Sequence, residues 1–334
     1  MSKESSPTPV PADLLAAIRS ASRIALAGHV TPDADCFGSV GSLAIALQEL
    51  GKQTYIAMPE GSVSRKLEFL FQYGAMRAAS PSELAACDLA LVLDTAKDRR
   101  VNIDGKLEAL PNTKVANVDH HASNTQFGTW NWVDAGRSSA SEMAYELIRA
   151  LGCQVTPTVA TLLYGGIHSD TQGFSLSNTT ARSLGVAHEL ALAGAQIPWL
   201  CEKLHRSHSR GEFELRQIVY RNTRVSDDGR LAWSTVSNPE FAHTGCVATD
   251  IDDQVEIPRT VEGIAVVILF SEGNAGKIRM NFRGERGISV LELAQKFGGG
   301  GHRSAAGAIL DGTISEVAER VLPEALRFVA ALPH

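Results

Sequence analysis

Short apolar runs alternate with helix-like patterns along the first two-thirds of this chain. Runs of strand length predict buried strands at Arg23–Ala27, Gln53–Met58, Asp88–Leu93 and Lys114–Val118. Apolar residues at helical spacing predict helices at Ser39–Leu50, Ser139–Leu151, Thr158–His168, Thr179–Leu192 and Pro198–His205. Because buried strands that alternate with helices form parallel sheets covered on both faces, we expect an α/β domain with helices on both faces of a parallel sheet.

The pattern changes after residue 205. Three further strands are predicted at Leu231–Val236, Gly263–Ser271 and Lys277–Phe282, with a hairpin turn at Gly273–Gly276 and helices at Ser289–Phe297 and Ile314–Ala331. These elements predict a smaller α+β domain. The resulting division is a Ser- and Pro-rich disordered tail (1–12), the α/β domain (13–205), a charged linker (206–222) and the α+β domain (223–334). A solvated helix is the alternative for the linker segment.

Composition excludes several classes of protein. The 334 residues are 44% hydrophobic, which excludes wholesale disorder, and the longest apolar run, Ile264–Phe270, is too short to cross a membrane. The net charge of −6 argues against binding long duplex nucleic acid, but it leaves room for a local basic pocket. Five scattered cysteines without a C-x-x-C motif, and an N-terminus without a signal pattern, favour the cytoplasm.

Candidate chemistry lies at the ends of the apolar elements. Taken alone, each residue has an ordinary alternative as a helix cap, a turn or a surface loop residue. Together they would meet near the carboxyl ends of parallel strands, and their oxygen and nitrogen atoms suit two divalent cations about 3.5–4 Å apart. The residues are His29, Asp33, Asp35, Asp94, Asp119, His120, His121 and Asp170.

These residues also carry a family resemblance. The segments GHVTPDADCFGS, LVLDTA, NVDHHASN and HSDTQGFSLSNTT resemble the four motifs of the DHH phosphoesterase superfamily. The segment KFGGGGHRSAAG resembles the DHH-associated C-terminal domain. The pairing at this length is similar to the bacterial oligoribonuclease (nanoRNase) and pAp phosphatase branch.

The resemblance implies a role for each residue of the centre. Asp94 would bridge two ions, Mn²⁺ first with Mg²⁺ or Co²⁺ as alternatives. His121 would face the scissile phosphate, and Asp119 would orient a histidine. The remaining ligands would be His29 and Asp33 for one ion, and Asp35, His120 and Asp170 for the other.

The glycine-rich segment is a second candidate site. Consecutive glycines let backbone N–H groups converge on an anion. The segment from Lys277 to Arg303 contains six basic residues and only two acidic ones. A flexible surface loop beside a basic strand is the alternative. The resemblance implies that this segment holds the terminal phosphate and base of the substrate through Arg283, Gly299, Gly300, Gly301, His302 and Arg303.

The expected activity is Mn²⁺-dependent hydrolysis of very short 5′-phosphorylated oligoribonucleotides to mononucleotides, by attack of a hydroxide held between two metals. Removal of the 3′-phosphate of pAp would accompany it. Alternative enzymes are a phosphodiesterase of linear (pApA) or cyclic di-AMP and an inorganic pyrophosphatase. An alternative of another class is a catalytically inactive nucleotide-binding regulator. No membrane partner is expected, and the sequence leaves a homodimer open.

Overall fold

The chain forms two compact units, Met1–Ser207 and His208–His334, in a computed structural model. Residues 1–7 of the predicted tail, Ala275 of the predicted turn and His302 of the predicted substrate loop lie outside the described residues. The structure describes residues 8–58, 66–104, 106–110, 113–246, 250–251, 253–274, 276–285, 287–301 and 303–333.

The first unit is built on a five-stranded parallel sheet of order β2-β1-β3-β4-β5. Its strands are β1 (Arg23–Ala27), β2 (Gln53–Ile56), β3 (Leu89–Leu93), β4 (Lys114–Asp119) and β5 (Trp130–Val133). Its helices are α1 (Ala12–Ser20), α2 (Ala34–Glu49), α3 (Glu68–Tyr73), α4 (Pro81–Ala85), α5 (Ala140–Leu151), α6 (Pro157–Asp170), α7 (Ala181–Leu192) and α8 (Ile197–His205).

Alternate residues of the strands enter separate apolar clusters on the two faces of this sheet. On β3, Leu91 packs in the cluster that contains α2, α5 and α6, whereas Val92 packs in the cluster that contains α4. The predicted two-faced parallel sheet is therefore confirmed. The strand β5 and the helix α1 were not predicted.

The second unit contains a six-stranded mixed sheet of order β10-β11-β9-β8-β7-β6, in which only β7 and β8 run parallel among the described pairs. Its strands are β6 (Arg224–Val225), β7 (Leu231–Val236), β8 (Val266–Asn274), β9 (Lys277–Gly284), β10 (Gly300–Gly301) and β11 (Ala305–Asp311). Its helices are α9 (Arg210–Asn222), α10 (Asn238–Thr244), α11 (Glu256–Arg259), α12 (Leu291–Gln295) and α13 (Ile314–Ala330). The predicted α+β character of this part is confirmed.

The segment predicted as a linker, with a solvated helix as the alternative, is mostly the helix α9. Ser209 caps this helix, and Leu215 and Val219 are buried in an apolar cluster of the second unit. Two apolar residues one turn apart were enough to bury one face of an otherwise charged segment. Within the predicted tail, the Thr8 carbonyl accepts a hydrogen bond from the Trp132 indole, so this residue is ordered against β5. None of the described helices has the length and apolar character needed to span a bilayer.

Candidate metal centre

Three neighbouring strands deliver side chains to one edge of the first sheet. His29 lies two residues after β1, Asp94 directly follows β3, and His120 directly follows β4. In the parallel register, Ala27 lies beside Val92 and Leu93 beside Val118, so the carboxyl ends of these strands are level. This edge is where open α/β sheets bind ligands.

Helix ends supply the other carboxylates. Asp33 is the N-cap of α2, and its Oδ1 accepts hydrogen bonds of 3.0 Å from the backbone N–H groups of Asp35 and Cys36. Because this cap starts the helix at Ala34 rather than at Ser39, Asp35 lies in the first helical turn. Asp170 is the last residue of α6.

Asp94 lies between two groups of ligand atoms. Its Oδ2 is 3.3 Å from His29 Nε2, and its Oδ1 is 3.5 Å from His120 Nε2. The ligand atoms of each group lie within 4.8 Å of one another. The groups are His29, Asp33 and Asp94 on one side, Asp35, His120 and Asp170 on the other, and Asp94 with His120 and His121 between them.

The backbone of Asp94 is strained. This buried residue has a φ of 52°, in the left-handed region that L-residues other than Asn and Asp seldom adopt. Its N–H donates to the carbonyl of Val118 at 3.0 Å, which ties the turn to β4. Strain of this kind persists where surrounding structure enforces it, and it is common at functional sites.

Asp35 is anchored by a helix N-terminus. Its side chain is fully buried and accepts hydrogen bonds from the backbone N–H groups of Ala140 (2.7 Å) and Ser141 (2.8 Å), the first two residues of α5. The positive end of the helix dipole stabilises the carboxylate there. Its Oδ2 still lies 3.9 Å from His120 Nε2, so the anchored carboxylate borders the centre.

The pKa values that these side chains have without a bound cation show how strongly the acids and histidines interact. Burial acts to lower the pKa of His29, but hydrogen bonds to Asp33 and Asp94 outweigh it and raise that pKa to about 11. Burial also acts to lower the pKa of His120, but the hydrogen bond to Asp94 and the charge of that carboxylate outweigh it and raise the pKa to about 10. Burial and the Asp94 charge raise the pKa of Asp35 to about 7. Acids packed this closely require positive charge, and they fit a divalent cation.

The second histidine of the pair is held differently. His121 Nδ1 lies 2.7 Å from Asp119 Oδ1, and its side chain is more exposed than that of His120. Asp119 is itself buried, and its Oδ2 accepts a 2.7 Å hydrogen bond from the Asn124 amide. The carboxylate therefore fixes the ring of His121 and leaves Nε2 available for a substrate.

The second unit brings the predicted substrate residues close together. Arg283 on β9 pairs with Ala305 on β11, and Gly300 on β10 pairs with Gly307 on β11. A Cβ at Gly299 would lie 2.3 Å from the Gly307 carbonyl oxygen, so only glycine fits there. Gly301 and Arg303 are exposed in the same loop.

Comparison with known proteins identifies both units. The DHH family, N-terminal domain, matches residues 23–167, and the DHHA1 domain matches residues 233–332. The bifunctional oligoribonuclease and PAP phosphatase NrnA of Thermus thermophilus is 35% identical over 307 residues, which are 91% of this chain and 89% of that protein. This chain belongs to the DHH family.

Two more DHH-type proteins are similar along most of their length. The NrnA of Bacillus subtilis is 29% identical over 299 residues, covering 89% of this chain and 92% of that protein. An exopolyphosphatase-related protein from Bacteroides fragilis has a crystal structure with a TM-score of 0.87, 22% identity and 94% coverage of both chains. The second similarity establishes the fold alone.

Sequence reasoning missed two supports of the DHH centre. Asn124 lies inside the segment NVDHHASN, but nothing in the motif shows that its amide contacts the Asp119 carboxylate. The anchor of Asp35 at the start of α5 was missed because Asp35 and Ser141 are 106 residues apart. The run Ser138–Glu142 has four polar residues, and only the structure shows that all of them are buried.

Proposed function

We propose that this DHH-family chain uses Mn²⁺ to hydrolyse very short 5′-phosphorylated oligoribonucleotides to mononucleotides, and that it removes the 3′-phosphate of pAp. The chain is a phosphoester hydrolase, in keeping with its family and its NrnA-named relatives. The position of Asp94 between two ligand groups carries the proposal, since two-metal phosphoryl chemistry needs a shared carboxylate.

Each group of side chains has a separate task in this proposal. Asp94 would contribute to both ion sites, and the other residues that would hold the ions are His29 and Asp33 on one side and Asp35, His120 and Asp170 on the other. Divalent ions bound there would neutralise phosphate charge and make water acidic enough to act as a nucleophile near neutral pH. His121, whose Nδ1 lies 2.7 Å from Asp119 Oδ1, would donate a proton to the leaving oxygen of the substrate.

Substrate selection belongs to the second unit in this proposal. Arg283 lies beside Ala305 of β11, with its Nε 3.9 Å from Glu256 Oε1, and it would turn its guanidinium toward the phosphate; Arg303 would add a further cation. A guanidinium can bind a terminal phosphate through two hydrogen bonds, and glycine backbone N–H groups can approach the same oxygens. His302 and Gly299–Gly301 complete the proposed substrate set.

The central test compares substrates under one metal condition. Chelator-treated protein supplied with Mn²⁺ should release mononucleotides from short 5′-phosphorylated RNA and phosphate from pAp. His120→Ala should abolish both reactions, whereas His188→Gln, a change at an exposed histidine of α7, should leave them intact. Hydrolysis of pyrophosphate alone, or of cyclic di-AMP alone, would contradict the proposed substrate class. Dinucleotide binding without turnover would favour the inactive regulator.

The substrate loop has its own test. Arg283→Ala should raise KM about tenfold to a hundredfold for 5′-phosphorylated RNA, the range expected when hydrogen bonds to a charged group are lost. The same change should have little effect on 5′-hydroxyl RNA. Arg279→Ala, at an exposed position four residues earlier on β9, is the matched control. An equal effect of Arg283→Ala on both RNAs would contradict the terminal-phosphate assignment.

A further inference from the structure

A second cluster of metal-binding side chains lies on α6 and α8. The Nε2 of His168 is 2.8 Å from the Nε2 of His205 and 4.0 Å from the Sγ of Cys201. Cys201 and His205 are four residues apart on α8, so their side chains lie on one face of that helix, one turn apart. None of these three residues belongs to the ligand groups around Asp94.

The contact between the two imidazoles leaves a polar atom unsatisfied. His168 is more than nine-tenths buried, and its Nδ1 has no hydrogen-bond partner among the described residues. If His168 donates from Nε2, a buried acceptor is unpaired; if it accepts there, a buried N–H is unpaired. A cation bound by both Nε2 lone pairs would replace the hydrogen bond between the imidazoles and hold the His168 proton on Nδ1, so it accounts for the close Nε2 contact and not for the unpaired Nδ1.

We propose that His168, Cys201 and His205 bind a Zn²⁺ ion. One thiolate with two imidazoles is a set that zinc prefers, whereas Mn²⁺ and Mg²⁺ favour carboxylate oxygens. Tetrahedral zinc would set the nitrogen–nitrogen and nitrogen–sulfur distances at about 3.3–3.6 Å. The two distances to His168 Nε2 depart from that range by about half an ångström in opposite directions. The three residues are not among the groups whose ligand atoms all lie within 4.8 Å of one another, so binding requires the Cys201 side chain to rotate toward the two imidazoles.

The surroundings suit a three-ligand site. The Tyr164 ring stacks on His168 with centroids 5.7 Å apart, and the Phe174 ring meets it edge-on at 6.3 Å. His205 is exposed, so a fourth position can take water or an anion. Because residues two positions apart on an α-helix point about 200° apart, His168 faces away from Asp170. The ion would therefore tie α8 to the helix that carries Asp170 without competing for that carboxylate.

Cobalt spectroscopy of the full chain tests the proposal, because only a site with a thiolate ligand gives a sulfur-to-cobalt charge-transfer band. Titration with Co²⁺ should produce this band, and one equivalent of Zn²⁺ should abolish it. Cys201→Ser should remove the band, and His205→Gln should weaken zinc binding more than the roughly 100-fold that changes outside the ligand shell can cost. Cys246→Ser and His188→Gln are the controls that should keep it.

Two results would overturn the proposal: absence of the band in the unaltered chain, or a band that survives Cys201→Ser. Circular dichroism of each variant shows whether it has folded, and Cys201 is only partly buried, so its replacement by serine is mild. The readout does not depend on hydrolysis. Failure of the zinc site and failure of the proposed phosphodiesterase are therefore distinguishable.

Discussion

Gly166 controls the position of a proposed metal ligand from inside a helix. A Cβ at this position would lie 2.0 Å from Ser141 Oγ and 2.6 Å from Asp35 Oδ1. Ordinary contact begins at 3.4 Å, so Gly166→Ala requires the Asp35 oxygen to move by about 0.8 Å or the helices to separate. Either response disturbs the hydrogen bonds that hold Asp35 on α5.

The neighbouring glycine provides a matched control. A Cβ at Gly165 would lie 3.5 Å from Leu200 Cδ1, which is ordinary contact. Gly165→Ala should therefore stabilise the protein by up to about 1 kcal/mol, as expected for alanine in a helix interior. Gly166→Ala brings the same gain in helix stability, but overpacking at this position costs about 1–3 kcal/mol of unfolding free energy. The two variants should differ by about 2 kcal/mol, or roughly 4–8 °C in Tm.

The two variants should also differ in kcat. A ligand displaced by nearly 1 Å can cost about 100-fold in rate, so Gly166→Ala should lower kcat on short RNA by about that factor. Gly165→Ala should retain the original rate. The assays are thermal unfolding and Mn²⁺-dependent mononucleotide release from the same preparations. Equal Tm and equal kcat for both variants would refute the argument that close helix packing positions Asp35.

Three other predictions concern the same centre. Asp94→Asn should keep the fold, because Asn tolerates a left-handed backbone, but should reduce metal affinity by more than about 100-fold in a metal titration. Asn124→Ala should lower kcat about tenfold through His121 without changing metal content measured by mass spectrometry. Metal affinity should rise with pH, because ligation displaces protons from His29 and His120, whose pKa values are about 11 and about 10. Calorimetry in buffers of different ionisation enthalpy should detect the released protons, and their absence would contradict that assignment.

Much of the first unit was predictable because buried parallel strands are continuous apolar runs. The boundaries of β1 were predicted as the structure has them, and β3 differs by one residue. The edge strand β5 was missed because Asn131 interrupts the run between Trp130 and Trp132, giving a four-residue alternating segment. For α9 a solvated helix was the alternative to a linker, but its buried face was not predicted because its few apolar residues pack against distant parts of the second unit.

At the centre, the residue types could be predicted but their support could not. Asp33 is a helix cap whose second oxygen is still available to a metal ion, so the two roles do not exclude each other. One of its oxygens caps α2, while the other lies 3.6 Å from His29 Nε2. Local sequence reveals the cap, but only the sheet register brings that histidine beside Asp94.

The uneven distribution of charge also follows from this arrangement. Four acids of a chain with net charge −6 lie in the metal centre, where two divalent cations would offset them. The six basic residues between Lys277 and Arg303 belong to the other unit, where Arg283 pairs with Ala305 on the strand that follows the glycine loop. A chain organised in this way has little surface charge to hold a long polyanion, whereas one short phosphorylated molecule needs only a local anion site. The acidic composition is thus compatible with the proposed short substrate, because the acids of the candidate centre and the basic residues of the glycine segment lie in different units.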